Sequence, residues 1–163
     1  MKRKTSVMAC IGLLILFLTI DMPVSFAQSG NGLEGRLEGT WNVRVTIRDC
    51  ASGTQIRSFD SLTMFMAGGA MIDSTSGIPQ AMKTPGQGIW EHAGGTTYRF
   101  KFKSFSFDAA GNFTGWTIIQ HQATLNSAAD AYISGGTANI YSPIGNLLAT
   151  GCSTTVATRF AFD

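Results

Sequence analysis

The sequence predicts an all-β fold: a single antiparallel up-and-down barrel of eight strands, closed between the first strand and the last. Apolar and polar residues alternate along most of the chain, with glycine, asparagine, aspartate and proline between the alternating runs. Trp41 lies in the first such run and Arg159 in the last, and Cys50 and Cys152 lie near the same two runs. These residues can meet only if the first and last strands are neighbours, as they are in a closed barrel.

The alternation predicts eight strands and no helix. We place the strands at about 40–49, 55–66, 70–75, 88–92, 96–107, 113–125, 131–141 and 149–162. Most connections between them are short, which favours a sequential antiparallel order. The longest loop is 77–87, which contains Pro79 and Pro85 and could cover the mouth of the barrel.

The fifth strand contains a change of parity. Aromatic residues alternate from Tyr98 to Phe102 and then resume at Phe105 on the opposite face. A β-bulge near Ser104 would return the later rings to the inner face, and bulges are common where barrels bend. We therefore expect a bulge at this position.

Residues 1–27 are predicted to be a secretory signal peptide. A basic head is followed by an apolar stretch and then by small residues before Gln28. The apolar stretch is shorter than the roughly 20 residues of a transmembrane helix. Residues 28–38 are expected to be a flexible lead-in, and 39–163 to be the barrel domain.

The cysteines outside this leader are predicted to form a disulfide, because export leads to an oxidising compartment. If Cys50 lies opposite Cys152 in an antiparallel pair of strands, Arg159 falls opposite Val43. Val43 is two residues from Trp41 on the same face of the strand, so the guanidinium is within reach of the Trp41 ring. We expect a cation–π contact between them.

The charge balance argues against nucleic-acid binding. Three of the 12 basic residues and one of the 10 acidic residues lie in the leader, so nine of each remain. A chain with no net charge lacks the electrostatic footprint of a protein that binds nucleic acid or acidic membranes. We predict neither a nucleic-acid partner nor stable membrane insertion.

Gly39-x-Trp41, the eight predicted strands and Arg159 together resemble the calycin superfamily, especially the lipocalins. In lipocalins a tryptophan at the start of the first strand packs beneath an arginine from near the end of the barrel. The resemblance implies that Trp41 and Arg159 have structural roles and that the barrel binds a small molecule. Barrels of the allene oxide cyclase and dirigent type have a similar layout.

The central strands are rich in aromatic residues, which predict either a packed core or the walls of a pocket for an apolar ligand. The resemblance favours the pocket, and noncatalytic binding of a small hydrophobic ligand is the first hypothesis. The predicted ligand-binding residues are Trp90, His92, Tyr98, Phe100, Phe102, Trp116 and His121. Two histidines without suitably spaced partners give no zinc pattern, and no cofactor is predicted.

Two alternatives remain open. The first is a cyclase or isomerase that uses a shaped pocket and one histidine or tyrosine, with Asp73, Tyr98, Tyr132 and Tyr141 as further candidates. The nucleophile motif Gly-x-Ser-x-Gly is absent. The second is a small outer-membrane β-barrel, against which the predicted fourth strand is shorter than the 9–11 residues of a spanning strand.

Overall fold

The computed structural model describes residues 34–162, and the predicted signal peptide lies outside them. Eight antiparallel strands follow one another in sequence order, and the last pairs with the first, so the predicted closed up-and-down barrel is confirmed. The strands are β1 Gly39–Arg48, β2 Gln55–Phe65, β3 Ala70–Thr75, β4 Gly86–Gly94, β5 Thr97–Phe107, β6 Phe113–Leu125, β7 Ala131–Tyr141 and β8 Leu147–Arg159. This layout is consistent with a calycin-like barrel.

Two short 3-10 helices accompany the strands, at Glu34–Leu37 and Gln80–Met82. No helix between residues 34 and 162 has the length and hydropathy needed to cross a membrane. β4 extends two residues beyond the prediction at each end and has nine residues. The first helix lies at the end of the expected lead-in and is tied to the barrel through Leu37, which is fully buried.

Alternation on β5 continues without interruption through Ser104, so the bulge predicted near this residue is wrong. Ser104 itself faces inward and is fully buried, while Phe105 is exposed on the outer face. The register shift of this strand lies later, between Ser106 and Phe107. The prediction failed because it assumed that every ring faces the core. Outside the barrel Phe105 instead packs against Phe113.

The seam between β1 and β8 is closed by a continuous ladder and a disulfide. Cys50 and Cys152 are bonded with their Cα atoms 5.1 Å apart, which confirms the predicted pairing of the cysteines. The predicted register is wrong by two residues of β1, because Arg159 lies opposite Trp41 rather than Val43 and Cys152 lies opposite Arg48 rather than Cys50. Cys50 is the second residue after the end of β1 and lies in a turn, so it does not occupy a ladder position.

One end of the barrel is closed by Trp41 and Arg159. The guanidinium carbon lies 4.4 Å from the centre of the indole, so the predicted cation–π contact is confirmed. The indole Nε1 donates a hydrogen bond to the Leu37 carbonyl at 2.9 Å. The guanidinium donates to the carbonyls of Arg36, Glu38 and Ala129. These bonds tie the first helix and the β6–β7 turn to the closed end.

The core is densest beside this closed end. Inward-facing residues of all eight strands meet there beneath Trp41, and aromatic pairs link them edge to face, as between Trp41 and Tyr132 at 4.9 Å. Phe65 contacts the rings of Trp90, Phe100 and Tyr132. Towards the other end the side chains are less closely packed, and the interior becomes hollow there.

Candidate functional site

The interior of the open half contains a cavity of about 260 Å³. Its walls are mostly apolar and come from every strand except β4, together with the loop after β3. The apolar lining residues are Val43, Val45, Ile47, Phe59, Ile78, Phe100, Phe102, Ile119, Ala138 and Ile140. Each strand residue faces inward because alternate side chains of a strand lie on the same face. The cavity is therefore a direct product of the alternation seen in the sequence.

Glycines on the neighbouring strands make room for two of the lining rings. A Cβ on Gly86 of β4 would lie 2.4 Å from the Phe102 ring. A Cβ on Gly136 of β7 would lie 2.6 Å from the His121 ring. Each ring occupies the space that a side chain on the facing strand would otherwise need.

A buried carboxyl group lies in the wall that β2 and β3 form. Asp73 Oδ2 is 2.6 Å from Ser61 Oγ and 2.9 Å from Thr63 Oγ1. The Ser61 hydroxyl also lies 2.9 Å from the Ser74 carbonyl oxygen, which can only accept. Burial raises the pKa of Asp73, against the opposing effect of these hydroxyls and of Lys83. A protonated Asp73 satisfies the contacts, since it donates to Ser61 while Ser61 donates to Ser74.

Tyr132 lies beside this carboxyl group and also lines the cavity. Burial and the neighbouring Asp73 raise the pKa of its hydroxyl, against the opposing effect of Thr63. Tyr132 is therefore neutral at physiological pH, and its hydroxyl belongs to the same polar patch as Asp73.

His121 forms a second polar group on the opposite wall. Its Nδ1 is 2.8 Å from Ser134 Oγ and its Nε2 is 2.8 Å from Ser153 Oγ. Ser134 continues the chain of hydroxyls to Thr155 at 2.6 Å. A neutral imidazole donates from one nitrogen and accepts at the other, and hydroxyls can complement both. Burial lowers the pKa of His121 to about 4, so the ring is held neutral.

This burial predicts an acid-dependent loss of stability. Between about pH 4 and 6.5 the unfolded chain binds a proton at His121 that the folded chain does not bind. Because the unfolded state then holds more protons, the free energy of unfolding falls as pH drops through this window. The loss is about 3 kcal/mol. It is measured by urea denaturation across the window, as the difference between the wild type and His121→Gln.

The difference isolates His121, because Asp73 contributes to both proteins. The folded-state pKa of Asp73 is raised, so its contribution to stability falls as pH rises above 3.8, the opposite direction. His92→Gln is the matched control, since it makes the same substitution at a partly exposed histidine outside the cavity. A wild-type profile parallel to that of His121→Gln would contradict the prediction.

A lysine completes the polar lining. Lys83 belongs to the loop between β3 and β4, yet it is only 9% exposed and its side chain lines the cavity. Burial lowers its pKa, partly offset by the charge of Asp73. Arg57 lies at the rim, where it contacts the Phe59 ring and donates to the Gly77 carbonyl at 3.0 Å.

The structure brings together three of the seven residues that the sequence named as ligand-binding. Phe100, Phe102 and His121 line the cavity. Trp90 and Tyr98 are buried in the core but do not line the cavity, and Trp90 Nε1 donates to the Met66 carbonyl. A ligand-binding role for any of them stays a prediction.

His92 and Trp116 lie away from the cavity. His92 Nε2 contacts the Gly95 carbonyl in an exposed turn. Trp116 lies on the outer face, stacked on Tyr141 and beneath the Lys103 ammonium at 4.2 Å. Trp116 and His121 share a strand but differ in parity, so the sequence could have shown that they face opposite ways.

Lys83 and the interior hydroxyls were not foreseen. Ser61 and Thr63 occupy the same parity as Phe65, an apolar inward-facing residue of their strand, which is a signal that the sequence contains. Lys83 gives no such signal, because a loop has no alternation. Among residues 34–162 no cluster of three or more metal-ligating side chains could hold an ion.

A second depression, of about 300 Å³, lies over β4, β5 and β6. Outward-facing side chains such as Ile89 and Lys101 border it, beside the ion pair of Glu91 and Arg99. Because it is more open than the interior cavity, and because the polar groups described above converge on the interior, the interior is the candidate site.

No protein-family model matches this chain, and no curated protein matches its sequence.

Proposed function

We propose that this barrel is an exported, lipocalin-like protein that binds a small, mainly apolar ligand without catalysing a reaction. The hollow interior of the open half carries the proposal. Its volume is close to the lower end of the range of about 300–1,000 Å³ for ligand pockets. It exceeds the roughly 150 Å³ of an apolar cavity that holds benzene. The ligand expected is one or two rings, or a chain of similar volume.

The state of His121 supports binding over catalysis. A general base works best when its pKa lies near the working pH, whereas burial holds the pKa of His121 at about 4. Both ring nitrogens are already engaged by serine hydroxyls. His121 therefore acts as a neutral polar residue in the wall of the cavity.

One observation favours the cyclase or isomerase alternative. Asp73 has a raised pKa and lies beside Tyr132 in the wall of the cavity. Perturbed carboxyl groups in a cavity are typical of sites that transfer protons. An enzyme of this kind would lose its activity in Asp73→Asn while keeping its affinity for the ligand, which is how the two candidates differ.

The character of the outer face supports a barrel that works in water. β4 has nine residues and no longer counts against a membrane barrel, but β3 has six, fewer than the roughly 9–11 residues of a spanning strand. Ion pairs also lie on the outer face, between Arg44 and Asp60 and between Arg99 and Glu91. A membrane-spanning barrel has an apolar outer band, where charged residues cost about 2–4 kcal/mol each at mid-depth. The Cys50–Cys152 disulfide agrees with export.

Filling the cavity should weaken ligand binding. Ile119 lines the cavity, whereas its neighbour Ile118 has the opposite parity and faces outward. We expect Ile119→Trp to weaken binding at least about tenfold, because the indole occupies the space of the ligand. Ile118→Trp makes the same chemical change outside and should bind like the wild type. Binding is measured by titration with naphthylmethanol, and native mass spectrometry checks for copurified ligands.

Two results would contradict the proposal. One is no binding of naphthylmethanol, or of any copurified molecule, by the wild type. The other is equal affinity in the wild type and Ile119→Trp, which would place the bound molecule outside the cavity.

A further inference from the structure

Lys83 is the one lysine in the described part of the chain whose side chain lines the cavity. The other two, Lys101 and Lys103, lie on the outer face of β5. The Lys83 amine makes no hydrogen bond or ion pair with any residue between 34 and 162. Buried amines are ordinarily hydrogen-bonded, because burying a charge without a partner is costly. The Lys83 amine interacts electrostatically with Asp73 without a hydrogen bond to it, so its hydrogen-bonding capacity is open to a ligand.

The backbone around Lys83 is held in position by β5. Lys83 forms an isolated β-bridge with Ser106. The next residue, Thr84, donates its N–H to the Phe105 carbonyl at 3.0 Å, and its hydroxyl accepts the Phe105 N–H at 3.0 Å. The segment thus behaves as a short additional strand on the open end of the barrel. Because alternate residues of a strand face opposite ways, Lys83 is directed inward.

We propose that Lys83 forms a reversible imine with an aldehyde group of an apolar ligand in the cavity. This rests on the proposed function, since the ligand must first enter the hollow interior. Desolvated lysines in apolar pockets are the usual nucleophiles of this reaction. The substrate class is then a small ring or chain compound that ends in an aldehyde.

The reaction needs no oxidant or reductant. The lone pair of the neutral Lys83 nitrogen attacks the aldehyde carbon, and the carbonyl π electrons move to oxygen, which takes up a proton while the nitrogen releases one. The hydroxyl of the resulting carbinolamine takes up a second proton and leaves as water, and the nitrogen releases its remaining proton to solvent or a nearby base. The products are the imine and one water molecule, and hydrolysis reverses both steps.

Asp73 is the neighbour suited to move these protons. It lines the same cavity, and its charge and that of Lys83 influence each other. Burial raises the pKa of Asp73 and lowers that of Lys83, so the neutral acid and the neutral amine are both favoured. A neutral acid can protonate the carbinolamine oxygen as water leaves. Asp73 would act as a positioning and proton-transfer partner.

Reductive trapping tests the proposal. Purified protein is incubated with naphthaldehyde and cyanoborohydride at neutral pH, and the modified residues are identified by peptide mass mapping. We expect the adduct at Lys83 to form faster than at Lys101 or Lys103, about tenfold for each unit by which the Lys83 pKa lies lower. Lys83→Met should remove the fast adduct, while Lys101→Met should leave its rate unchanged. The terminal amine is distinguished by its own peptide.

Lys83→Arg separates the covalent step from simple attraction of charge. Arginine keeps the positive charge but forms no imine under these conditions, so trapping should be lost. Equal labelling of the three lysines would overturn the proposal. Tight, Lys83-dependent binding of naphthoic acid without any trapping of the aldehyde would also overturn it, because the amine would then be a binding site for a carboxylate.

Naphthylmethanol keeps the two hypotheses apart, because it has the same ring but cannot form an imine. If the wild type binds the alcohol and Ile119→Trp does not, the cavity is a ligand site whatever the aldehyde does. If the alcohol does not bind, the proposed function itself has failed. Loss of fast trapping in Ile119→Trp would show that the aldehyde reaches Lys83 through the cavity.

Discussion

Replacing Trp41 by alanine should lower the free energy of unfolding by about 3–5 kcal/mol, the range for removing a large buried aromatic side chain. Trp41 is fully buried, and its ring packs edge to face against Tyr132 at 4.9 Å. The substitution also removes the hydrogen bond to the Leu37 carbonyl and leaves the Arg159 guanidinium without its aromatic partner. Three stabilising contacts are thus lost at the point where the barrel is closed.

Equilibrium urea denaturation measures this loss, with the slope of the transition used to check that unfolding remains two-state. Trp116→Ala is the matched control, because Trp116 is a tryptophan of the same barrel that lies partly exposed on the outer face. Its loss should cost clearly less than that of Trp41. Trp41→Phe should fall between the wild type and Trp41→Ala, since it keeps an aromatic ring but not the Nε1 donor. Equal destabilisation by Trp41→Ala and Trp116→Ala would show that the closed end is not a principal source of stability.

Replacing both cysteines by serine should lower the free energy of unfolding by about 2–5 kcal/mol. The disulfide joins residues that are 102 positions apart, so it closes a loop that includes most of the barrel. In the chain-entropy account a loop of about 100 residues corresponds to roughly 4.7 kcal/mol at 25 °C. The β1–β8 ladder already holds the two strands together in the folded state. The bond therefore acts mainly by restricting the unfolded chain.

The double variant Cys50→Ser/Cys152→Ser is compared with the wild type under oxidising and reducing conditions. We expect reduction to move the wild-type denaturation midpoint towards that of the variant and to leave the variant unchanged. The β signal in circular dichroism should persist in all samples at low denaturant, because the ladder remains. Coincident midpoints for oxidised wild type and variant would mean that the bond contributes nothing to stability.

The errors in the β1–β8 register and in the β5 bulge each came from an assumption about where one residue lies. The sequence showed which residues alternate, but the register was set by treating Cys50 as a ladder residue, whereas it lies in the turn after β1. Likewise, the bulge near Ser104 followed from the assumption that Phe105 must be inside. Exposed aromatic residues are common when they can pack on one another, as Phe105, Phe113 and Trp116 do on the outer face. Alternation reports the two faces of a strand without reporting which ring is buried.

Alternation also explains which residues of the candidate site could be predicted from the sequence. Phe100, Phe102 and His121 have inward parity near the middle of long strands, and the structure places all three in the cavity wall. Trp116 has outward parity, whereas His92 shares the parity of Trp90 but lies beside the β4–β5 turn, away from the cavity. The sequence did not predict Lys83 in the cavity wall, because its position depends on a bridge between a loop and β5.

The sequence by itself determined the closed barrel, its eight strands, the disulfide and the contact of Trp41 with Arg159. These features depend on local alternation and on a few residues that must meet, and a linear chain records both. Only the tertiary structure decided that the interior is hollow at one end and that Asp73, His121 and Lys83 face the same space. The volume left between rings from several strands depends on how all of them pack at once, and no single segment of the sequence contains that information.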